Sequence, residues 1–254
     1  MPRFYIASFN RASDGAVQGI KDILQEHDML GSKFNADYII AVGDRTETFD
    51  YVLERFRAGK PIIHLWAGEK SCWTTEDDIY RTSMSLMSMM QLCVNKTAKD
   101  TNDIILTKCG KKPNSYIVGN PYLDDMRTDD SIVPNDMYDL VLYNPISSYS
   151  DTASDLVEII EIKPISPVWI EPNGDKNSEV IPSNLPNQQR DKYLGLLKNC
   201  NRFITNSSSA YTEAVFFNKE IVWVGDRNRE RESKYADMMI PGCKENIMKI
   251  IKEL

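Results

Sequence analysis

The chain has 254 residues, 42% of them hydrophobic, and a formal net charge of −7 at pH 7. That size suits one large domain or two small ones, and the acidic balance argues against general affinity for nucleic acids or anionic membranes. No apolar run is long enough to cross a bilayer, and five scattered cysteines with only two histidines, His27 and His64, offer no metal-ligand spacing.

Phe4–Ser8 reads as a strand that follows the first residues directly, so no signal peptide and a cytoplasmic location are expected. The cysteines are then expected to be reduced thiols. A helix is predicted near Gly15–Gln25, a buried strand at Ala36–Val42, a helix from Glu47 to Ala58 and a strand at Pro61–Leu65. Ile79–Leu92 has helical spacing, with Met84, Met87, Met89 and Met90 as core filler. Asn114–Val118 is a further strand. Asp125 to Asp139, rich in Asp and broken by Pro134, is the expected linker.

A second alternating series follows. Strands are predicted at Leu140–Tyr143, Val168–Glu171, Phe203–Thr205 and Ile221–Val224, and helices near Thr152–Ile162, Asp191–Lys198, Tyr211–Phe217 and Asn246–Glu253. Two β/α blocks imply two parallel-sheet lobes, 1–133 and 134–254, facing across a cleft. In such sheets ligands bind beyond the carboxyl ends of the strands.

Four polar turns fall at such ends. Ser8-Phe9-Asn10-Arg11 offers a cation to a diphosphate. Gly43-Asp44-Arg45 sets a carboxylate beside a guanidinium. His64-Leu65-Trp66-Ala67-Gly68-Glu69 precedes Glu76-Asp77-Asp78-Ile79-Tyr80-Arg81. The fourth, Asn206-Ser207-Ser208-Ser209, introduces a helix with Glu213 about one turn inside it. A helix start favours anions, serine hydroxyls extend its N–H cradle, and Glu213 is spaced to accept from a vicinal diol such as a ribose. Each turn also has a plain structural reading. The serines suit an N-cap, Asp44 a cap or a salt bridge to Arg45, Asp77 a cap and Trp66 a core position.

These turns, with Gly119-Asn120-Pro121, Pro172-Asn173-Gly174-Asp175 and Gly225-Asp226-Arg227, resemble in order and spacing the UDP-N-acetylglucosamine 2-epimerases, the hydrolysing branch above all. The resemblance implies α/β architecture of the GT-B type, two Rossmann-like lobes with a UDP-sugar between them. It gives Ser207, Ser208 and Ser209 to the diphosphate and Glu213 to the ribose. Arg11, Arg45, Asn144 and Arg229 join the nucleotide-sugar contacts, and Asp44, Asp77 and Glu69 become the catalytic candidates. No metal and no cofactor beyond the UDP-sugar co-substrate is implied.

Departures from the pattern matter as much. Trp66 stands where the family has a glutamate, Asn144 where it has a histidine, and most of a β/α excursion is missing between Gln25 and Ala36. Moving a carbon-bound proton at C2 needs positioned acids and bases, and neither tryptophan nor asparagine transfers protons near neutral pH. The leading expectation is therefore a glycosyltransferase with Asp44 as base and UDP as leaving group; a divergent hydrolysing epimerase or an inactive UDP-sugar binder is the alternative. The expected partners are a UDP-sugar donor and an acceptor, a small molecule rather than a modified nucleic-acid base. No membrane is expected, and a homodimer is left open.

Overall fold

A computed structural model describes residues 1–9, 11–70, 76–145, 149–172, 177–227 and 240–254, and the side chains of all these except 11–16, 149 and 150. The chain forms two units, Met1–Asp125 with Arg231–Leu254, and Met126–Glu230.

In the first unit, β1 (Phe4–Ala7), β2 (Tyr38–Val42), β3 (Ile62–Leu65), β4 (Met90–Cys93) and β5 (Ser115–Ile117) form a parallel sheet in that order. Its inner strands are covered on both faces, and so are almost continuously apolar. Phe4, Ile6, Ile40, Val42, Ile63 and Leu65 meet helices α1 (Arg11–Glu26) and α8 (Cys243–Ile251) on one face. Ile39, Ala41 and Ile62 meet α2 (Thr46–Arg57) and α3 (Glu76–Met87) on the other.

Leaving α1, the chain first touches the outer edge of β1. There the Phe4 N–H donates to Met29 O and the Gly31 N–H to Phe4 O, both at 2.8 Å, around a lone parallel bridge at Leu30. It then rounds β1 and enters β2 on the opposite edge, where the Tyr38 N–H donates to Arg3 O at 3.1 Å. The direction of travel across the sheet therefore reverses at β1. This reversal puts α1 on the face opposite α2 and α3, since each parallel crossover keeps its right-handed sense. Among the described residues, the Leu30 bridge is the only β-pairing of the segment 27–37, which stands where the sequence lacks a β/α excursion. The turns after β1 and β2 flank the switch point, the position where open α/β sheets bind ligands.

Several expectations are corrected here. The Met-rich helix ends at Met87, and Met90–Cys93 is strand β4. Of its methionines, Met84 and Met90 are core residues, whereas Met89 is 41% exposed. A further helix, α4 (Lys96–Lys108), follows β4. The last helix belongs with the first unit, not with residues from 134 onward. Cys243, Ile247, Met248 and Ile251 bury against the first sheet, and Asp124 accepts from the N–H groups of Gly242, Cys243 and Lys244 at 3.0, 3.0 and 2.7 Å, capping α8.

In the second unit, β6 (Leu140–Leu142), β7 (Val168–Trp169), β8 (Arg202–Thr205) and β9 (Glu220–Trp223) are parallel in the order β7-β6-β8-β9. Helices α5 (Tyr149–Glu161), α6 (Arg190–Asn199) and α7 (Glu213–Phe216) connect them. Strand order reverses at β6, so the turns after β6 and β8 flank a second switch point. The end of the expected linker is structural. Asp139 is fully buried and pairs with Arg202 at 2.6 Å beneath the sheet.

Candidate functional site

In the first unit the carboxyl ends of the strands carry a charged network centred on Arg81. Asp44, just past β2, is paired with the Arg81 guanidinium, a salt bridge to a residue 37 positions away. The same guanidinium donates to Asp78 Oδ1 at 2.9 Å and to the backbone oxygen of Glu69. Asp78, Arg81 and Glu69 are 4%, 7% and 4% exposed, so the Arg81–Asp78 charges are compensated within the protein rather than by water. Asp77 lies half-buried in the first turn of α3 beside Asp78. Asp44 and the Glu69 backbone thus meet at an arginine that the motif contains but whose role its spacing does not announce, and Asp77 stands in the first turn of the same helix. Arg45 is the residue before α2, with extended backbone and no capping bond from its side chain. Arg11 opens α1 and its side chain lies outside the described residues; Arg229 lies outside them altogether.

His64 holds the Asp44 turn. Its Nε2 is 2.8 Å from Gly43 O, which can only accept, so Nε2 carries the proton and Nδ1 accepts from the Ser85 hydroxyl at 2.9 Å. Full burial, opposed by the bond to Gly43, pushes the imidazole down to about 4 from its ordinary 6.5. With both nitrogens bonded and no charge at neutral pH, His64 is a strut and not a base. The unfolded chain protonates this histidine at a higher pH than the folded one does. Its contribution to stability is complete above pH 6.5 and is lost as pH falls toward about 4. The expected loss reaches about 3 kcal/mol. Urea midpoints of wild type and His64→Asn, compared between pH 7 and pH 4, should converge on acidification.

In the second unit the two strand ends at the switch point are tied together. The Asn144 N–H donates to Asn206 Oδ1 at 2.8 Å, and Asn206 Nδ2 donates back to Asn144 O at 2.7 Å, with both residues buried. Asn144 thereby fixes the turn through its backbone. The Ser207 N–H donates to Thr205 Oγ1 at 2.8 Å, and Ser207 Oγ accepts from the Ser209 N–H at 3.3 Å. Ser208 is exposed.

The helix expected over Tyr211–Phe217 is shorter. A 3-10 turn, Ser208–Tyr211, gives way to the four-residue α7 because Thr212, at φ −123° and ψ −83°, interrupts the helical run. So little helix leaves almost no macrodipole, and any anion here meets individual N–H and O–H groups. Glu213 is the first residue of α7 rather than one turn inside a helix. It is 3% exposed, with Oε1 paired to Arg190 at 2.8 Å and Oε2 bonded by the Thr212 hydroxyl. One turn along α6 from Arg190, the Tyr193 hydroxyl lies 2.6 Å from Ser209 Oγ. Burial foremost, then the Glu213 charge, raises Tyr193 so that it stays protonated. Helix α6 therefore clamps both the serine turn and Glu213. No spacing in the sequence announces Arg190, Tyr193 or Asn206 as partners; the fold alone brings them there.

Two parallel-sheet units with polar turns at their switch points define an α/β protein of the GT-B class. The fold is shared with Methanocaldococcus jannaschii UDP-GlcNAc 2-epimerase in complex with UDP-GlcNAc and UDP, at a TM-score of 0.63 and 17% identity over 98% of this chain and 83% of that one. S. aureus MnaA, in a co-structure with UDP, is similar at a TM-score of 0.62 and 16% identity over 98% and 72% of the two chains. The chain belongs to the UDP-N-acetylglucosamine 2-epimerase family, whose profile matches residues 5–150. It is 25% identical to the UDP-N,N'-diacetylbacillosamine 2-epimerase (hydrolyzing) of Legionella pneumophila subsp. pneumophila over 84% of this chain, and spans 64% of that relative's length. Among the described residues, no helix is long and apolar enough to cross a membrane, and no group of His, Cys, Asp or Glu is arranged to hold a metal ion.

Proposed function

We propose that the chain binds a UDP-linked 2-acetamido sugar and acts on it as a divergent hydrolysing 2-epimerase. Family membership over residues 5–150 and relatives named for hydrolysing 2-epimerisation favour this chemistry over the glycosyl transfer expected from the departures alone. The observation that carries it is the Arg81 network, which keeps Asp44 and its carboxylate neighbours ordered at the strand ends. In this reading Asp44 takes the C2 proton as UDP leaves C1; water then adds at C1 and a proton returns to C2 on the other face. Asp77 and Glu69 are the remaining acid–base candidates. Ser207, Ser208 and Ser209 hold the departing diphosphate, Arg11, Arg45 and Arg229 contribute charge, Asn144 shapes the turn, and Glu213 meets the ribose.

Incubation with UDP-GlcNAc in heavy water should yield UDP and a free 2-acetamido sugar carrying one deuterium at C2. Asp44→Asn should lower that turnover by about 10²–10⁴-fold with UDP affinity retained.

Glycosyl transfer is the second reading, favoured by Trp66 and Asn144, whose side chains exchange no protons. It requires UDP to appear only when an acceptor is supplied. UDP binding with no turnover under either condition would leave a binding protein.

A further inference from the structure

Trp66 adopts a backbone conformation that tryptophan rarely takes. Its φ is +75°, in the left-handed region where a bulky side chain is an outlier. Its N–H and that of Ala67 both donate to Leu92 O, at 2.9 and 3.3 Å. Gly68, at φ +78°, lies so close to α4 that an added Cβ would come within 2.0 Å of Ala98 O. The turn is therefore held from both sides. Glycine would fill position 66 without strain, yet the chain keeps an indole there. Persistent backbone outliers of this kind concentrate at functional sites.

The indole is half-buried against the sheet's core on the α1 and α8 face. Its ring centroid is 4.8 Å from that of Tyr122, at an interplanar angle of 48°. Tyr122 is held in turn, its N–H donating to Asn120 Oδ1 at 3.1 Å. Trp66 follows Leu65, which pairs with Val42, and the Gly43 N–H donates to Leu65 O at 3.1 Å. Trp66 and Asp44 thus follow the carboxyl ends of the adjacent strands β3 and β2.

We propose that Trp66, backed by Tyr122, is the platform on which the substrate's sugar ring stacks. This rests on the UDP-sugar reading above and assigns the ring to the first unit. A pyranose presents one face of C–H groups, which suits the electron-rich face of an indole, and leaves its hydroxyls to polar partners. Trp66 exchanges no protons; it orients the ring.

Calorimetry with UDP and with UDP-GlcNAc tests this, every protein carrying Asp44→Asn so that the sugar nucleotide is not consumed; wild type below means that position 66 is unaltered. Wild type is expected to bind UDP-GlcNAc at least tenfold more tightly than UDP. In Trp66→Ala that ratio should fall to about one with UDP affinity unchanged within twofold, and Trp66→Phe should keep most of it. An undiminished ratio in Trp66→Ala overturns the proposal. Should Trp66→Ala fail to fold, the wild-type indole N–H resonance of Trp66, assigned with Trp66→Phe, decides. It should shift with UDP-GlcNAc and stay near its free position with UDP, and equal shifts overturn the proposal. If wild type binds neither ligand, the UDP-sugar reading itself fails and the platform falls with it.

Discussion

Arg81→Ala is expected to lower the stability of the first unit by about 3–5 kcal/mol and to abolish turnover. The guanidinium is 9% exposed and serves Asp44, Asp78 and the Glu69 carbonyl together. Its removal leaves Asp78, itself 4% exposed, without this cation inside the protein. Asp44 loses the partner that fixes its direction, so geometry and stability fail at once. Arg81→Lys should recover little, because one ammonium cannot reproduce the planar fork that reaches all three acceptors. Urea denaturation and UDP release measure the two effects. A stability loss below about 1 kcal/mol would place the network among ordinary surface pairs.

Arg190→Ala is expected to cost the second unit about 3 kcal/mol, since the Glu213 side chain is 5% exposed and Arg190 is its cation. A variant carrying both Arg190→Leu and Glu213→Leu should regain most of that stability, because an apolar pair leaves no charge stranded. Nucleotide binding should separate the two roles. If Glu213 meets the ribose, the double variant stays folded yet binds UDP weakly and no longer distinguishes UDP from 2′-deoxy-UDP. Wild-type affinity for UDP in that variant would reduce the ion pair to a structural clamp.

Both sheets were largely legible in the sequence. Ala36–Val42 and Pro61–Leu65 are short apolar runs closed by glycine or polar turns, and they appear as β2 and β3. The boundary between α3 and β4 was hidden because no glycine marks it. The carbonyls at the end of α3 are met instead by side chains from later in the chain. Gln91 Nε2 donates to Ser85 O and Ser88 O at 3.1 and 3.0 Å, and Lys111 Nζ donates to Leu86 O at 2.7 Å. Helix α4 did carry signals: the Asn95 cap, the Lys96–Asp100 and Lys99–Asp103 pairs at i,i+4, and Gly110 beyond its end. They stand without a strong apolar stripe, which is the primary sequence signal of a surface helix.

Of the candidate site, the sequence revealed which turns bear the polar groups but not how those groups pair. Arg81 lies 37 positions from Asp44, and Arg190 lies 23 from Glu213. Only the folded chain sets such distances. The plain readings won in part, since Asp44 is salt-bridged and Ser207 caps the turn after β8. Neither fact removes these groups from the chemistry, because an ordered carboxylate and an ordered hydroxyl are what a reacting sugar needs.

Helix α8 also bears on how the protein is made. A ribosome releases β1 to β5 first, but Cys243 to Ile251, which with α1 cover one side of that sheet, follow only after the whole second unit. At ordinary elongation rates the interval is on the order of 10 s. Throughout it the nascent sheet shows Ile40, Val42, Ile63 and Leu65 beside an uncovered strip. The second unit is complete in sequence before the first can close, so vectorial synthesis should make chaperone capture fall on the first unit.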